Sequence, residues 1–297
     1  MAIAPTAPSK LRPVISAETV DDSRESILLL GVYGTGKSSQ ITTLPGRKFV
    51  YAFDPNTIGA LKGYKDIDLV EFFAVGKELE LRLKGFNQNS LTDRSGKKIE
   101  PILYEEWRED HDARLQSDFW AKNDYQWICL ESYTWFIEAL EARQMWLDNR
   151  PGESTDTGDH QQLGFALTRN FQSLQSTKCN LFLTGHLRSY QDLVTKQIRL
   201  YPHISGKAKS VIPSGCTNVW ISERGKEPGK FNIRTIPEPQ GFQLLRSRIP
   251  GLKELEDVTI PMAKASDGVM RFVNPQSYGI GRLLKLAAPR AALSTAV

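Results

Sequence analysis

The sequence predicts an α/β fold: a mostly parallel β-sheet flanked by helices, with an antiparallel β extension toward the C-terminus. Two observations predict it. In the first two-thirds of the chain, short apolar runs rich in aromatic and β-branched residues alternate with stretches of helical periodicity. After residue 196 the apolar runs become shorter and are separated by Pro- and Gly-containing turns, which is typical of antiparallel strands.

Composition excludes several classes of protein. The 297 residues are 40% apolar and 24% charged, which is typical of a globular chain with a sizeable core. No apolar run approaches the roughly 18 residues that span a bilayer, and the first residues lack the apolar segment of a secretory signal. Cys129, Cys179 and Cys216 are far apart in sequence, which argues against a disulfide framework or a zinc ribbon. The net charge of +4 is weak evidence for a polyanionic partner.

Four apolar runs are the candidate parallel strands. They are Ser26–Leu30, Lys48–Phe53, Gln126–Leu130 and Asn180–Thr184. Two helices are predicted between them. One is indicated by the stripe Leu163, Leu167, Phe171 and Leu174, and a less regular one by Trp135, Ala139, Leu140 and Leu147. The later runs QIRLY, NVWIS, FNIRT and FQLLR are the candidate antiparallel strands.

Residues 76–124 do not fit the alternation of strands and helices, and they are densely charged. Leu103, Trp107, Leu115 and Phe119 could line one face of a helix, so this stretch is either an insertion with a helix or a solvated surface excursion.

For the whole chain, we expect a disordered N-terminal arm over residues 1–24, a main domain over residues 25–254 that contains the insertion, and a C-terminal tail over residues 255–297.

The segment GVYGTGKS, residues 31–38, matches the phosphate-binding pattern G-x-x-x-x-G-K-[ST]. An apolar strand precedes it, and Ser39–Thr43 can open a helix, which is the context that this pattern requires. Glycines let successive N–H groups point at phosphate oxygens, Lys37 should reach the β- and γ-phosphates, and the Ser38 hydroxyl should bind Mg²⁺. The predicted nucleotide-binding residues are Gly31, Tyr33, Gly34, Thr35, Gly36, Lys37, Ser38 and Ser39.

Two carboxylates and a histidine follow predicted strands. Glu131 ends the strand WICL and is the candidate second ligand of Mg²⁺, with an incidental strand-end glutamate as the alternative. Asp54 follows KFVYAF and could orient or deprotonate a water molecule, or it could simply cap the turn at Pro55–Asn56. His186 ends NLFLTG, where it could sense the γ-phosphate or play a structural role.

The segment after His186 is basic and contains interleaved aromatic residues. Its candidate nucleic-acid contacts are Arg188, Lys196, Arg199, Lys207 and Lys209. Cations can follow the phosphates of single-stranded DNA while aromatic rings stack on its bases. A solvated basic hairpin, or a strand at a subunit interface, is the alternative.

Taken together, these segments resemble the RecA-like P-loop ATPases, and most closely a phage nucleotide-binding AAA branch that includes single-strand-annealing-type recombination ATPases. The resemblance covers roughly residues 25–250. It rests on GVYGTGKS, FVYAFDPN, WICLES, LFLTGHLR, PHISGKAKSVIP and GFQLLRSR. Only the first motif is specific, and it is specific for P-loop nucleotidases in general. The order and spacing of the others indicate the branch.

The resemblance implies a RecA-like core, hydrolysis of Mg-ATP, and a ring or filament with nucleotide at the subunit interfaces. In that family a basic pair on a late strand reaches the neighbour's γ-phosphate, and Arg246 and Arg248 stand at that place. Glu131 in place of aspartate, Asp54 where relatives carry glutamate, and arginine as the first member of the basic pair are departures.

The function expected from the sequence is a phage ATPase that acts on single-stranded DNA in recombination, annealing or replication, in the host cytoplasm and away from membranes. Its partners would be copies of itself, DNA and a phage recombination or replication protein. Three alternatives stay open. They are an ATPase that remodels a protein without touching DNA, a P-loop kinase of small molecules, and a nucleotide-binding module with little turnover.

Overall fold

The computed structural model of the chain describes residues 24–73, 100–150, 153, 155–191, 198–204, 208–237, 244–264 and 270–287. The strands are β1 Ser26–Gly31, β2 Arg47–Ala52, β3 Ile67–Glu71, β4 Tyr125–Glu131, β5 Asn180–Gln191, β6 Ile198–Pro202, β7 Asn218–Arg224, β8 Phe231–Arg234, β9 Leu255–Asp257, β10 Met262–Lys264 and β11 Met270–Phe272. The helices are α1 Thr57–Leu61, α2 Leu103–Gln116, α3 Phe119–Lys122, α4 Tyr133–Leu147, α5 Thr157–Ser176, α6 Ala208–Gly215 and α7 Gly279–Ala287, with 3₁₀-helices at Ser38–Thr43 and Pro275–Ser277.

Nine of these strands form one sheet in the order β3-β2-β4-β5-β1-β7-β8-β9, with β6 paired to β5. All pairings from β3 to β7 are parallel, and β8 and β9 continue the sheet antiparallel. The hairpin of β10 and β11 is a separate small sheet. The predicted α/β class with a mostly parallel sheet flanked by helices is therefore confirmed.

Both faces of the central strands are buried, which explains why these strands read as continuous apolar runs rather than as alternating patterns. Leu28 and Leu30 of β1 face a core layer that α2, α4, α5 and α6 complete. Ile27 and Leu29 face the opposite layer, which receives Ile41 of the first 3₁₀-helix and apolar residues of α1 and α7. The four strands predicted in the first two-thirds correspond to β1, β2, β4 and β5, while β3 was not predicted.

The described part of the expected insertion belongs to the core, so the surface-excursion alternative is wrong for residues 100–124. Leu103 and Trp107 of α2 are buried, as is Trp120 of α3, and Leu115 and Phe119 are partly buried against the same cluster. Residues 76–99 of the insertion lie outside the described residues. A charged sequence can still form a core helix because its apolar residues recur at helical spacing on one face.

The C-terminal half differs from the prediction in one respect that bears on the site. The NVWIS run, in β7, pairs parallel with β1, whereas we expected it to be antiparallel. FNIRT contributes β8, which is antiparallel as expected, and the described part of FQLLR contributes only an isolated bridge between Arg246 and Val219. Within the expected tail, β9 belongs to the main sheet, so the fold continues past Glu254.

None of the helices in the described residues is long and apolar enough to cross a membrane.

Candidate nucleotide-binding site

The segment 31–38, hereafter the P-loop, connects the carboxyl end of β1 to the 3₁₀-helix Ser38–Thr43. Gly34 and Gly36 have φ angles of 71° and 81°, which side-chain-bearing residues rarely adopt. The Thr35 hydroxyl donates to the Val32 carbonyl at 2.9 Å and closes the turn between them. The backbone of the loop therefore turns at these two glycines, and the eight predicted nucleotide-binding residues lie in this turn and at the start of the helix that follows it.

The helix after the P-loop is short. It has six residues, is of the 3₁₀ type, and is followed directly by Leu44, Pro45 and the positive-φ Gly46 before β2 begins. Helix α7 packs against it: the Ile280 N–H donates to Gln40 Oε1 at 3.0 Å, and the Gly281 N–H donates to Thr43 Oγ1 at 3.1 Å. The C-terminal residues therefore fix the position of the P-loop helix.

Ser38 and Glu131 meet at the carboxyl ends of β1 and β4. The Ser38 hydroxyl donates to Glu131 Oε1 at 2.6 Å, and the Thr184 hydroxyl of β5 donates to the other carboxylate oxygen. Glu131 is 2% exposed. Burial raises the pKa of this carboxyl above its ordinary value, while the two hydroxyl donors and the Lys37 ammonium lower it. A carboxylate and a hydroxyl at this separation supply two of the oxygen ligands that Mg²⁺ prefers.

Lys37 is buried within the P-loop rather than extended into solvent. Its ammonium donates to the carbonyls of Gly31 at 3.1 Å and Val32 at 2.9 Å. Burial lowers the pKa of this ammonium, and the negative charges of Glu131 and Asp54 act in the opposite direction. Among the described residues, the Lys37 ammonium donates hydrogen bonds to loop carbonyls alone. Phosphate oxygens are charged acceptors and would form stronger hydrogen bonds with the ammonium than these carbonyls do.

Asp54 performs the turn-capping role that was its alternative assignment. Its Oδ1 atom accepts from the backbone N–H and the side-chain amide of Asn56, both at 2.9 Å. The residue is nonetheless 8% exposed and close enough to Lys37 and Glu131 to influence the pKa of each. Its Oδ2 atom accepts no hydrogen bond from the described residues, so one oxygen is held by the turn and the other is not.

His186 stacks on the P-loop. Its ring lies 4.0 Å from that of Tyr33, centroid to centroid, with 28° between the ring planes. Tyr33 is 69% exposed, whereas His186 is 6% exposed and has no hydrogen-bond partner on either ring nitrogen among the described residues. Burial, followed by the positive charge of Lys37, lowers the pKa of His186 to about 4. The ring is therefore neutral at pH 7, with one nitrogen able to donate a hydrogen bond and the other able to accept one.

Arg246 and Arg248 are engaged within the chain, away from its own P-loop. The Arg246 guanidinium donates to the carbonyls of Pro213, Ser214 and Cys216 around the end of α6. Arg248 pairs with Glu25 at 2.8 Å and lies beside the start of β1.

The basic segment after His186 forms a hairpin. Strand β5 continues past His186 and pairs antiparallel with β6, with Arg188 opposite Tyr201 and Tyr190 opposite Arg199. The side chains of Arg188 and Lys209 are exposed. Lys196 and Lys207 lie outside the described residues.

Several site residues were not predicted. Thr184 contacts Glu131, Thr134 Oγ1 accepts the His186 N–H at 2.8 Å, and Ser222 Oγ donates to the Thr35 carbonyl at 2.6 Å. Arg224 donates through Nε to the Gly34 carbonyl at 3.2 Å. Thr184 could have been found as the polar residue that interrupts the apolar run NLFL, but nothing local in the sequence distinguishes Ser222 or Arg224.

No protein-family model matches the chain, and no curated protein matches its sequence. The described residues of the site include one buried ammonium, one hydroxyl paired with a carboxylate, and one buried neutral imidazole whose ring nitrogens have no hydrogen-bond partner among these residues, and groups of these types can hold Mg-ATP.

Proposed function

We propose that the protein binds and hydrolyses Mg-ATP and acts on single-stranded DNA, as a RecA-like ATPase of the phage branch that its motifs resemble. The observation that carries the proposal is the 2.6 Å hydrogen bond between Ser38 and Glu131 beside the buried Lys37. A glycine loop with a nearby lysine is a phosphate site, and a hydroxyl paired with a carboxylate next to it adds the metal ligands that a nucleoside triphosphate requires.

The topology supports a ligand at this edge. The chain leaves β1 toward β2 on one side and passes from β5 to β7 on the other, so the P-loop lies where successive connections diverge. In open parallel sheets, ligands bind outside the carboxyl ends of the strands at such a switch point. Strand β5 lies between β1 and β4, which brings Thr184 and His186 between the P-loop and Glu131.

The protein's own groups have separate roles in the proposed hydrolysis. Mg²⁺, held by Ser38 and Glu131, would neutralise charge on the phosphates. Lys37 binds the β- and γ-phosphates. Asp54 orients the attacking water molecule through the carboxylate oxygen that the Asn56 turn does not hold. His186 donates to an oxygen of the terminal phosphate through the N–H of a ring that is neutral at pH 7.

A DNA-binding role is supported by the continuity of β5. The strand that carries His186 also forms the first half of the basic hairpin, and the His203 N–H donates to the His186 carbonyl at 2.8 Å. A change at His186 would therefore act directly on the backbone of the hairpin. Exposed Arg188 and the exposed ring of Tyr201 are the types of side chain that bind phosphates and stack on bases.

The test is ATP turnover measured with and without single-stranded DNA, with particle size followed in parallel. We expect phosphate release, stimulation by DNA, and larger particles when Mg-ATP is present. A folded Lys37→Ala protein should release no phosphate above background. Turnover that DNA does not alter would favour a protein-remodelling ATPase, and phosphate transfer to a small acceptor would favour a kinase. Binding without turnover would favour the nucleotide-binding module, to which the turn-bound Asp54 lends some support.

DNA contact has its own test in the dependence of affinity on salt. The logarithm of the binding constant for single-stranded DNA falls linearly with the logarithm of the salt concentration, with a slope of about −0.7 for each phosphate neutralised. Arg188→Ala combined with Arg199→Ala should lower affinity and reduce the steepness of that slope by about 1.4 if each arginine contacts one phosphate. The matched control is Lys122→Ala, which removes an exposed cation paired with Asp118 on α3. A salt slope equal to that of the control would contradict the hairpin as the DNA site.

A further inference from the structure

The hairpin of β7 and β8 lies against the P-loop on the side opposite Glu131. Because β7 pairs parallel with β1, Gly31 stands beside Ser222, and Arg224 lies two residues farther along, next to the loop itself. Three contacts join the hairpin to the loop. They are Ser222 Oγ to the Thr35 carbonyl, Arg224 Nε to the Gly34 carbonyl, and the Phe231 ring against Gly36.

The contact at Gly34 is close. A Cβ atom at that position would lie 2.6 Å from a terminal nitrogen of Arg224, so the missing side chain leaves room for the guanidinium. A Cβ atom at Gly36 would lie 3.3 Å from the Phe231 ring, which stands opposite Arg224 in the hairpin register. The glycines of the loop thus accommodate the hairpin as well as the backbone turn.

Arg224 is held less firmly than other arginines of this part of the fold. Its side chain is exposed, and its two terminal nitrogens donate no hydrogen bond to the described residues. Arg234 of the same hairpin instead forms ion pairs with Glu223 and Glu254, both at 2.7 Å. Among the described residues, the Arg224 side chain donates one hydrogen bond, to a carbonyl, which is a neutral acceptor. A phosphate oxygen is charged and would accept a stronger hydrogen bond in its place.

Resting on the proposed function, we propose that Arg224 binds the α- and β-phosphates of the nucleotide held by its own P-loop. The position of Arg224 relative to β1 indicates which phosphates it contacts. Glu131, Thr184, His186 and Asp54 all come from β4, β5 and β2, so the metal and the terminal phosphate belong on that side of β1. Strand β7 lies on the other side, where the guanidinium meets the part of the chain that ATP and ADP share.

This assignment separates binding from catalysis. A group that contacts only the shared phosphates binds substrate, transition state and product alike, so its loss raises the dissociation constants without slowing the chemical step. A guanidinium on the γ-phosphate would instead favour ATP over ADP and contribute to the rate.

The experiment is calorimetric titration of wild type, Arg224→Ala and Arg234→Ala with Mg-ATP and Mg-ADP, together with turnover at saturating ATP. Arg224→Ala should weaken both nucleotides by the same factor, between about tenfold and a hundredfold, with turnover at saturation within about twofold of wild type. Arg234→Ala perturbs the same hairpin without touching the loop, and its affinities should stay within about twofold. Arg224→Lys should recover part of the affinity because it retains the charge.

Equal affinity in wild type and Arg224→Ala would overturn the inference and leave the proposed function standing. Loss of ATP affinity alone, or a matching loss in Arg234→Ala, would also overturn it, since the first indicates a γ-phosphate contact and the second a structural role of the hairpin. A wild-type protein that binds neither nucleotide would overturn the proposed function together with the inference.

Discussion

Glu131 is the residue on which the proposed hydrolysis depends most. It is buried with no Lys or Arg hydrogen-bonded to it in the described residues, and two hydroxyls and the nearby Lys37 favour its charged form against the effect of burial. A divalent cation would stabilise the charged form of a buried carboxyl of this kind further.

Glu131→Gln should retain nucleotide affinity within about tenfold and lower ATP turnover at least about a hundredfold. The amide preserves the shape, and the Ser38 and Thr184 hydroxyls can accept as well as donate, so the variant should fold. Asp54→Asn tests the other carboxylate in the same assay. If Asp54→Asn is the more damaging substitution, the water-positioning role dominates, and if both variants turn over normally, neither carboxylate belongs to the reaction.

His111 determines a pH dependence of stability that is separate from the site. Its ring is 1% exposed, and it links Tyr51 of β2 to Ser173 of α5 at 3.1 Å on each side. Burial lowers its pKa to about 4, and the nearby Asp112 and Asp110 oppose the shift. The unfolded chain, with an ordinary histidine pKa near 6.5, binds the proton first as pH falls.

The contribution of His111 to the free energy of unfolding should therefore be fully present above about pH 6.5. It should decline as pH falls toward 4, because the unfolded state takes up more protons than the folded state over that interval. Between pH 7.5 and pH 5 the contribution of His111 is about 2 kcal/mol. Urea unfolding at the two pH values should show a smaller difference for His111→Gln than for wild type. An identical difference in the two proteins would mean that His111 is not the group responsible.

At the scale of elements, the sequence reveals those features that depend on neighbouring residues. The P-loop, β1 and the stripe of α5 were predictable because a strand, a glycine pattern and a helical period are each contained in one short segment. The parallel pairing of β7 with β1 was not, because Ile27 and Asn218 are partners far apart in sequence and no local pattern encodes the pairing. Ser222 and Arg224 were missed for this reason alone.

The C-terminal helix was missed for a related reason. Helix α7 is short, and its contacts with Gln40 and Thr43 span most of the chain. Its two glycines are informative only once the partner is known. A Cβ atom on Gly281 would lie 1.9 Å from the Thr43 carbonyl, so only glycine allows α7 to approach the P-loop helix this closely.

Gly281→Ala should displace α7 from the P-loop helix, destabilise the fold by about 1–3 kcal/mol, and weaken nucleotide binding. Gly59→Ala in α1 is the matched control, since a Cβ atom there meets nothing within 4 Å and alanine favours a helix. Thermal unfolding and Mg-ADP titration of the two variants provide the comparison. Equal unfolding temperatures in Gly281→Ala and wild type would contradict the role assigned to α7.

For the whole molecule, the position of Arg248 restricts how it could act on ATP. It lies beside Glu25 at the amino end of β1, whereas the P-loop begins at the carboxyl end. The six residues of β1 put about 17 Å between those ends. Arg248 therefore cannot contact the nucleotide of its own P-loop while paired as it is, and any contact with a phosphate has to be with the nucleotide of another copy.

Mixing variants tests this contact between copies. Lys37→Ala and Arg248→Ala should each be inactive alone, since the first lacks a phosphate ligand at every interface and the second lacks the arginine, which is worth roughly 10³-fold or more in related reactions. Mixed, they should regain part of the activity, because some interfaces then join an intact P-loop to an intact Arg248.

Glu25→Gln is the matched control for Arg248→Ala, because it breaks the same ion pair but keeps the guanidinium. A role confined to the ion pair predicts equal defects in Glu25→Gln and Arg248→Ala and no recovery on mixing. A role in a neighbouring site predicts that Glu25→Gln stays active, because the variant retains the guanidinium that would contact the neighbour's phosphate.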